Sequence, residues 1–196
     1  KSQPHHRTQH VKLMNHYVAA AIKILFMIQK LEKIPTAKIL VDALHLELNE
    51  IRDSLLLLFS FVYDKEKMMK SKSAFGLKKK ESIANALEVI EIEVPKEISL
   101  RFNKVFEPGS VNDKCGALQT YFHEELNYEN IMEAILNDTG HHFHRWTKAA
   151  ALHSVIFYKG DKRKNWLEKT EKENDILLTE TAHKILEETP WHGSHL

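Results

Sequence analysis

The chain has 196 residues, long enough for one domain with a sizeable hydrophobic core. Its 28 Lys and Arg nearly balance its 27 Asp and Glu, and a net charge of +1 argues against a polycation that binds nucleic acid or membranes. The single cysteine, Cys115, excludes an internal disulfide framework and a Cys-rich zinc ribbon; we expect a small buried side chain, not a nucleophile. Gly and Pro are scarce, which favours helices over strands.

Two long amphipathic helices are predicted at the start of the chain. Apolar residues recur at intervals of three and four from about Thr8 to Glu32, which indicates the first helix. Pro35 suits the first turn of a second helix, whose apolar pattern continues to Val62. We expect an antiparallel hairpin over residues 1–63. Its apolar runs are both shorter than the roughly 20 residues that a bilayer requires, so neither is predicted to span a membrane.

A polar, lysine-rich segment follows at residues 64–80. We predict a connector there, with at most one short helix around Met68 to Ala74. The next apolar pattern predicts a helix over about residues 79–92, and Pro95 restarts the chain for another helix that carries Phe102.

Turn and capping residues divide the rest of the chain into short helices. Ser110 or Asn112 is the candidate N-cap of a helix whose apolar spacing reaches Leu126, and Asn127 can cap the next one. A basic loop is expected at residues 159–164. The remaining helices are predicted over residues 128–136, 146–157, 166–173 and 176–188, with a tail at 189–196. Because no stretch alternates apolar and polar residues, the predicted fold class is all-α.

Three of these helices share a weak internal repeat. Aligning Ala86, Ala151 and Ala182 superposes similar runs in which long apolar residues follow the small ones. Small residues let stacked helices approach closely, and repeats of about 30 to 40 residues are typical of HEAT, armadillo and tetratricopeptide arrays. The pattern predicts a right-handed α-α superhelix over residues 77–188, within a single all-α domain that covers residues 1–196.

Several motifs resemble a known family. The runs LHLELNEIRDSLLLL (44–58), VYDKEKM (62–68), KESIANALEVI (80–90), VPKEI (94–98), RWTKAAAL (145–152) and DILLTETA (175–182) are similar to the HEAT-like soluble region of bacterial ATP/ADP-carrier-like proteins. In that family a major-facilitator-type transporter domain precedes HEAT-like helices and often a cyclic-nucleotide-binding domain. The resemblance covers about residues 40–188 and rests on helix-packing motifs. It departs from the family at residues 63–65, where a Tyr-Pro-Pro-like turn would be usual, and at residues 141–144, where a short Asp-Pro turn would be usual.

The stretch GHHFHRW, residues 140–146, is the one cluster of potential metal ligands. His141 and His144 are spaced i,i+3 and could reach one ion if a helix began before them, but Arg145 and Lys148 adjoin that face. We therefore predict a loop and helix start in which Phe143 and Trp146 are buried. The alternative, a metal-binding helical protein, predicts a higher melting temperature with zinc, nickel or copper.

Motifs of enzyme chemistry are missing from the sequence. The run His123-Glu-Glu-Leu lacks the second histidine of a zincin, since Asn127 stands in its place. There is no Gly-rich phosphate loop, nucleophile elbow or paired-carboxylate motif. We predict a non-catalytic protein with no catalytic residues and no cofactor. His45, His153 and His183 lie within helix patterns and are expected to be partly buried and hydrogen-bonded.

The predicted function is that of a rigid helical scaffold, or a regulatory or interaction domain, belonging to a membrane transporter-like protein. Its partner would be another protein or a neighbouring domain of the same polypeptide, and its basic segments could face anionic lipid. The alternative is a HEAT-like nucleic-acid-binding protein or DNA glycosylase, which the near-zero net charge disfavours. The candidate interaction surface comprises Arg145, Trp146, Lys148 and Trp166.

The resemblance also implies a location. Because the chain begins at Lys1 with neither an initiator Met nor a signal peptide, we interpret it as a piece of a longer protein. It would lie at the cytoplasmic face of a membrane if that protein is transporter-like, and in the cytoplasm otherwise.

Overall fold

A computed structural model describes residues 4–140, 142–172 and 175–188. These residues form helices joined by turns, with no strand among them, so the all-α prediction is confirmed. The predicted tail at residues 189–196 lies outside the described residues. The helices are α1 (Pro4–Leu31), α2 (Lys38–Val62), α3 (Lys65–Gly76), α4 (Lys80–Glu93), α5 (Lys96–Phe106), α6 (Val111–Leu118), α7 (Tyr128–Leu136), α8 (Arg145–Val155), α9 (Lys162–Thr170) and α10 (Ile176–Glu188).

The chain forms two compact units. Unit 1 comprises Lys1–Gln29 and Leu48–Glu125, and unit 2 comprises Lys30–Glu47 and Leu126–Leu196. The end of α1, a 3₁₀ turn at Pro35–Ala37 and the start of α2 therefore belong to unit 2. The single domain and the division into residues 1–63 and 77–188 stay predictions.

Aromatic rings fill the core of unit 1. Phe102 on α5 is fully buried, with ring centroids 5.5 Å from Phe59, 6.3 Å from Phe75 and 4.7 Å from Phe106. Burial of aromatic side chains is a major source of core stability, and it joins α2, α3 and α5 here. The cysteine prediction is confirmed, because Cys115 is buried, with Sγ 3.7 Å from a backbone carbonyl of α1.

Helix α3 lies within residues 64–80, where the sequence predicted a connector with at most one short helix. It has 12 residues and packs against α4, and the Asp64 side chain caps it by accepting a hydrogen bond from the Lys67 amide at 3.0 Å. Met68, Ser71 and Phe75 form its buried face. One of these three buried positions is a serine, and most residues on the rest of the helix are charged. The helical periodicity of apolar residues is therefore weak.

Helix α6 is shorter than predicted. Ser110 caps it, as one of the two predicted candidates, by accepting a hydrogen bond from the Asp113 amide at 3.1 Å. The helix ends at Leu118 and a 3₁₀ turn follows at Gln119–Tyr121. Phe122 and Leu126 lie in a segment that is not helical, yet their side chains are buried. Their apolar spacing therefore arises from core packing and does not indicate a helix.

Consecutive helices pack on one another in unit 2. Asn127 caps α7 as predicted, in a reciprocal capping box with Asn130. Helix α8 contacts α7, α10 and the 3₁₀ turn at Pro35–Ala37, and α9 contacts α10. Helix α9 begins at Lys162, so the predicted basic loop at residues 159–164 is partly helical.

Among the described residues, one helical stretch is long and apolar enough to cross a membrane. It is Thr8–Leu31, with a mean hydropathy of 1.4 over its most apolar window, half of which is buried in the structure. This differs from the prediction, which counted only unbroken apolar runs. A core helix satisfies the same criterion of length and composition.

Candidate interaction surface at the start of helix α8

The loop before α8 is held by one carboxylate. Asp138 accepts hydrogen bonds from the backbone amides of Gly140 at 3.1 Å and Phe143 at 3.0 Å, and lies 2.8 Å from Nδ1 of His142. Burial alone would raise the pKa of Asp138, but these three hydrogen bonds outweigh it, so the pKa lies below its ordinary value. The carboxylate is therefore ionised at neutral pH, when it can accept all three bonds.

A second carboxylate holds the first turn of α8. Glu47, on the part of α2 that belongs to unit 2, is 4% exposed. It accepts hydrogen bonds from the backbone amide of His144 at 2.7 Å and from the Thr147 hydroxyl. A carboxylate is favoured at a helix N-terminus, where unpaired amides give a positive partial charge. The start of α8 is thus fixed by a residue distant in sequence.

These contacts present two side chains to solvent. Arg145 is exposed, and Trp146 is 70% exposed although it lies on the first turn of a fixed helix. The prediction that Trp146 is buried is wrong. The buried face of α8 includes the polar residues Thr147, Lys148 and Ser154, so apolar periodicity assigned the buried face incorrectly.

Lys148 belongs to the frame beneath this surface. It is 9% exposed, and its Nζ donates a hydrogen bond at 2.6 Å to the backbone carbonyl of Asp138. The cation thus satisfies a loop carbonyl, and its stem is packed within unit 2. We therefore leave Lys148 out of the exposed interaction surface.

The histidines of the motif have separate surroundings. His141 lies outside the described residues. His142 pairs with Asp138, while Nε2 of His144 lies 3.9 Å from the Glu47 carboxylate, and both rings are 59% exposed. Helix α8 begins at Arg145, so His144 precedes the helix. We name His142, His144, Arg145 and Trp146 the α8 entry surface.

Trp166 lies in an aromatic cluster and not on the α8 entry surface. It is 4% exposed, and its ring centroid is 5.3 Å from that of Tyr158, which in turn stacks on Tyr128 at 5.1 Å. The Tyr158 hydroxyl donates a hydrogen bond to Glu129, which raises the pKa of Tyr158 to about 12. Lys162 pairs with the same carboxylate at 3.1 Å. This cluster joins α7 to α9.

Three other histidines differ from their prediction. His45, His153 and His183 are all exposed, so their predicted partial burial is wrong. His183 pairs with Glu171 at 3.0 Å and with Glu187 at 3.2 Å, which confirms its hydrogen bonding. Surface pairs of this kind contribute little to stability.

Neither of the two carboxylates that hold the α8 entry surface was predicted from the sequence. Glu47 had a signal, because it falls on the same helical face as the buried Leu40 and Leu44, where a charge is unexpected. Asp138 lies between the predicted helices 128–136 and 146–157, in a turn segment where Asp commonly bonds amides two residues on. Neither signal names the partner, since Glu47 and His144 are 97 residues apart.

Comparison of the chain with models of protein families, with curated proteins and with solved structures gave no match.

Proposed function

We propose that this chain is a non-catalytic helical scaffold that docks a protein partner, or a neighbouring domain of the same polypeptide, through the α8 entry surface. The observation that carries the proposal is the 70% exposure of Trp146 beside the exposed Arg145 on a fixed helical turn. Trp and Arg are enriched among the few residues that supply most of the binding energy at protein interfaces.

The frame beneath the surface adds support. The backbone that carries Trp146 is held by Asp138 and Glu47 through the amides of Phe143 and His144. A partner therefore meets backbone that is already ordered, which reduces the entropy cost of association. Two exposed imidazoles and an exposed guanidinium lie within four residues of the exposed indole, so the surface favours a partner with an apolar pocket and hydrogen-bond acceptors.

A HEAT-like superhelix is the architecture that we propose for the scaffold. The aligned alanines of the repeat, Ala86, Ala151 and Ala182, are 3%, 0% and 0% exposed. Ala151 and Ala182 lie on α8 and α10, which pack on each other. Contacts between neighbouring helices in each unit also support stacked repeats, since each repeat of such arrays contacts its neighbours.

The family resemblance supports a transporter-like context for this scaffold, at the cytoplasmic face of a membrane. In that context the partner is another domain of the same polypeptide or a protein that regulates it. The sequence motifs of residues 44–58 and 80–90 carry this part of the proposal. The nucleic-acid alternative invoked Trp146 and Trp166, and only the first of these is exposed.

Photo-crosslinking tests the docking surface. A photoreactive phenylalanine at position 146 of the full chain, expressed in its own cells, should give a defined adduct with a protein or another domain. The same residue at position 61, where Phe61 is 71% exposed in unit 1, is the matched control. With the partner in hand, Trp146→Ala should weaken binding by about 2 kcal/mol or more, the loss expected at a hot spot.

The same variants separate docking from folding. Because Trp146 is exposed, Trp146→Ala should change the free energy of unfolding by less than about 0.5 kcal/mol. Adducts of equal yield at positions 146 and 61 would refute the docking surface. Duplex DNA bound at low salt through Arg145 and Trp146 would replace the scaffold by the nucleic-acid alternative.

A further inference from the structure

The hairpin of α3 and α4 in unit 1 is polarised in charge. Residues 64–80 carry seven lysines and two acidic residues, whereas residues 81–95 carry four glutamates and neither Lys nor Arg. The two helices pack against each other. A chain that is almost neutral overall thus places a basic helix beside an acidic one. This segregation is independent of the α8 entry surface.

A groove of about 610 Å³ runs along this hairpin. Small and apolar side chains line much of it, chiefly Ser71 and Ala74 of α3, Leu77 just after α3, and Ser82, Ala86 and Val89 of α4. In α4 the lining residues recur at three and four, which is the spacing of a helix face that meets another helix. Small residues there leave room for close approach.

Exposed apolar side chains border the groove. Met69 and Leu77 line it and are 39% and 63% exposed. Ile92 follows Val89 by three residues, on the same side of α4, and is 73% exposed. Such side chains gain free energy when a partner removes them from water.

We propose that the same hairpin of a second copy of this chain fills the groove, in a symmetric dimer. A two-fold axis along the hairpin sets α3 of each copy on α4 of the other, so that basic and acidic helices face each other twice. Isologous contacts of this kind are the commonest in homodimers. The alternative symmetry, with α3 on α3, would oppose like charges. The complement that the groove needs is therefore present in the chain itself.

The resulting dimer is weak and depends on salt. Helix α3 has 12 residues, about 18 Å of helix, so the contact is small beside a standard interface. Exposed charges more than about 10 Å apart are screened at 0.1 M salt, so the long-range part of the attraction fades with added salt. We place the dimer in the class of transient complexes.

Two charge reversals at the groove provide the test. Lys70 lines the groove on α3, where it pairs with Glu66 at 2.7 Å. Glu88 is exposed on α4, one turn from the lining residue Asn85. In the symmetric dimer, position 70 of each copy faces position 88 of the other. Lys70→Glu therefore places two carboxylates together at both contacts, and Glu88→Lys places two ammonium groups together at both contacts. An equimolar mixture of the two variants restores opposite charges at both contacts. The double variant in one chain does the same.

Matched controls lie on the same two helices. At 100° per residue, Lys72 and Glu91 fall on flanks of α3 and α4 that are turned away from the groove. Lys72→Glu and Glu91→Lys change the net charge equally without touching the proposed contact. Circular dichroism of each variant shows whether the helix content of the chain is unchanged.

Sedimentation equilibrium of the full chain, over a wide concentration range at low and high salt, measures the dimer. We expect the dissociation constant to rise on the order of tenfold or more in each groove variant, and to return within about threefold of wild type in the mixture and the double variant. The two control variants should stay within about threefold of wild type.

Three results would overturn the proposal. The first is a chain that stays monomeric at low salt over the whole range. The second is an equal effect of the groove and control reversals, and the third is a mixture that fails to recover. Binding of an acidic amphipathic peptide or of phosphatidylserine vesicles to Lys70 of a monomeric chain would assign the groove to that occupant instead.

Discussion

A single carboxylate governs the ionisation of Tyr158. The hydrogen bond that its hydroxyl donates to Glu129 is the largest cause of the pKa of about 12. Ionising the phenol would remove the donated proton and set two anions together. A folded-state pKa above the ordinary value of about 10 stabilises the fold fully below pH 10, and this contribution is lost as the pH rises through about 12.

The Glu129→Gln variant tests this coupling. It removes the charge beside Tyr158, and we expect the tyrosine pKa to fall from about 12 toward its ordinary value of about 10. The tyrosinate absorbance, followed against pH, measures the change. Glu133→Gln is the matched control, because Lys162 also contacts Glu133 at 2.7 Å while Tyr158 bonds Glu129. Identical titration of the two variants would contradict the assignment.

Local features of single residues were predictable from the sequence, whereas features that depend on distant contacts were not. The caps at Ser110 and Asn127 were predicted, because each side chain bonds an amide three residues away and the motif is local. The exposure of Trp146 was not predicted. Which face of α8 is buried depends on Glu47, whose contact with Thr147 spans 100 residues. The spacing of apolar residues along one helix cannot predict a contact between residues so far apart in sequence.

At the scale of the element, α3 is the clearest departure from the sequence. Its buried face uses three positions, Met68, Ser71 and Phe75, and its other residues are mostly lysine, serine and glutamate. Apolar periodicity identified α1, α2, α4 and α5 because each presents an apolar stripe. In α3 a capping Asp and packing against α4 take the place of that stripe.

Truncation of Phe75 distinguishes a packed helix from a connector. Phe75 is 4% exposed, and the Arg52 guanidinium lies 5.0 Å from its ring centroid. We expect Phe75→Ala to lower the free energy of unfolding by about 3 to 5 kcal/mol, since it leaves a cavity. Urea denaturation measures the loss.

The control for this truncation is another phenylalanine of unit 1. Phe61 is 71% exposed, so Phe61→Ala should change stability by less than about 0.5 kcal/mol. If Phe75→Ala costs no more than Phe61→Ala, then α3 is not packed as described and residues 64–80 are the connector that the sequence predicted.

At the scale of the whole molecule, charge balance controls solubility. The chain carries a net charge of +1 with its 13 histidines neutral, and its isoelectric point is about 8.0. Little net repulsion therefore separates copies near that pH. Below its isoelectric point the chain gains net positive charge as the pH falls.

Static light scattering at low salt should detect this change. We expect the second virial coefficient to become more positive between about pH 8 and about pH 5.5, as the growing net positive charge increases repulsion. Added salt should reduce the difference by screening. A coefficient that is unchanged, or that becomes more negative toward pH 5.5, would contradict the expectation.

The carboxylate of Glu47 also bears on the order of events in folding. It accepts a hydrogen bond from the backbone amide of His144, which lies 97 residues away along the chain. Closing so long a loop costs chain entropy before the bond returns any energy, whereas α8 can form its own turns locally. We therefore expect the first turn of α8 to be set late in folding, after the start of α2 has reached it. During synthesis, we therefore expect this surface to form only after the segment that carries His144 has been made and has reached Glu47.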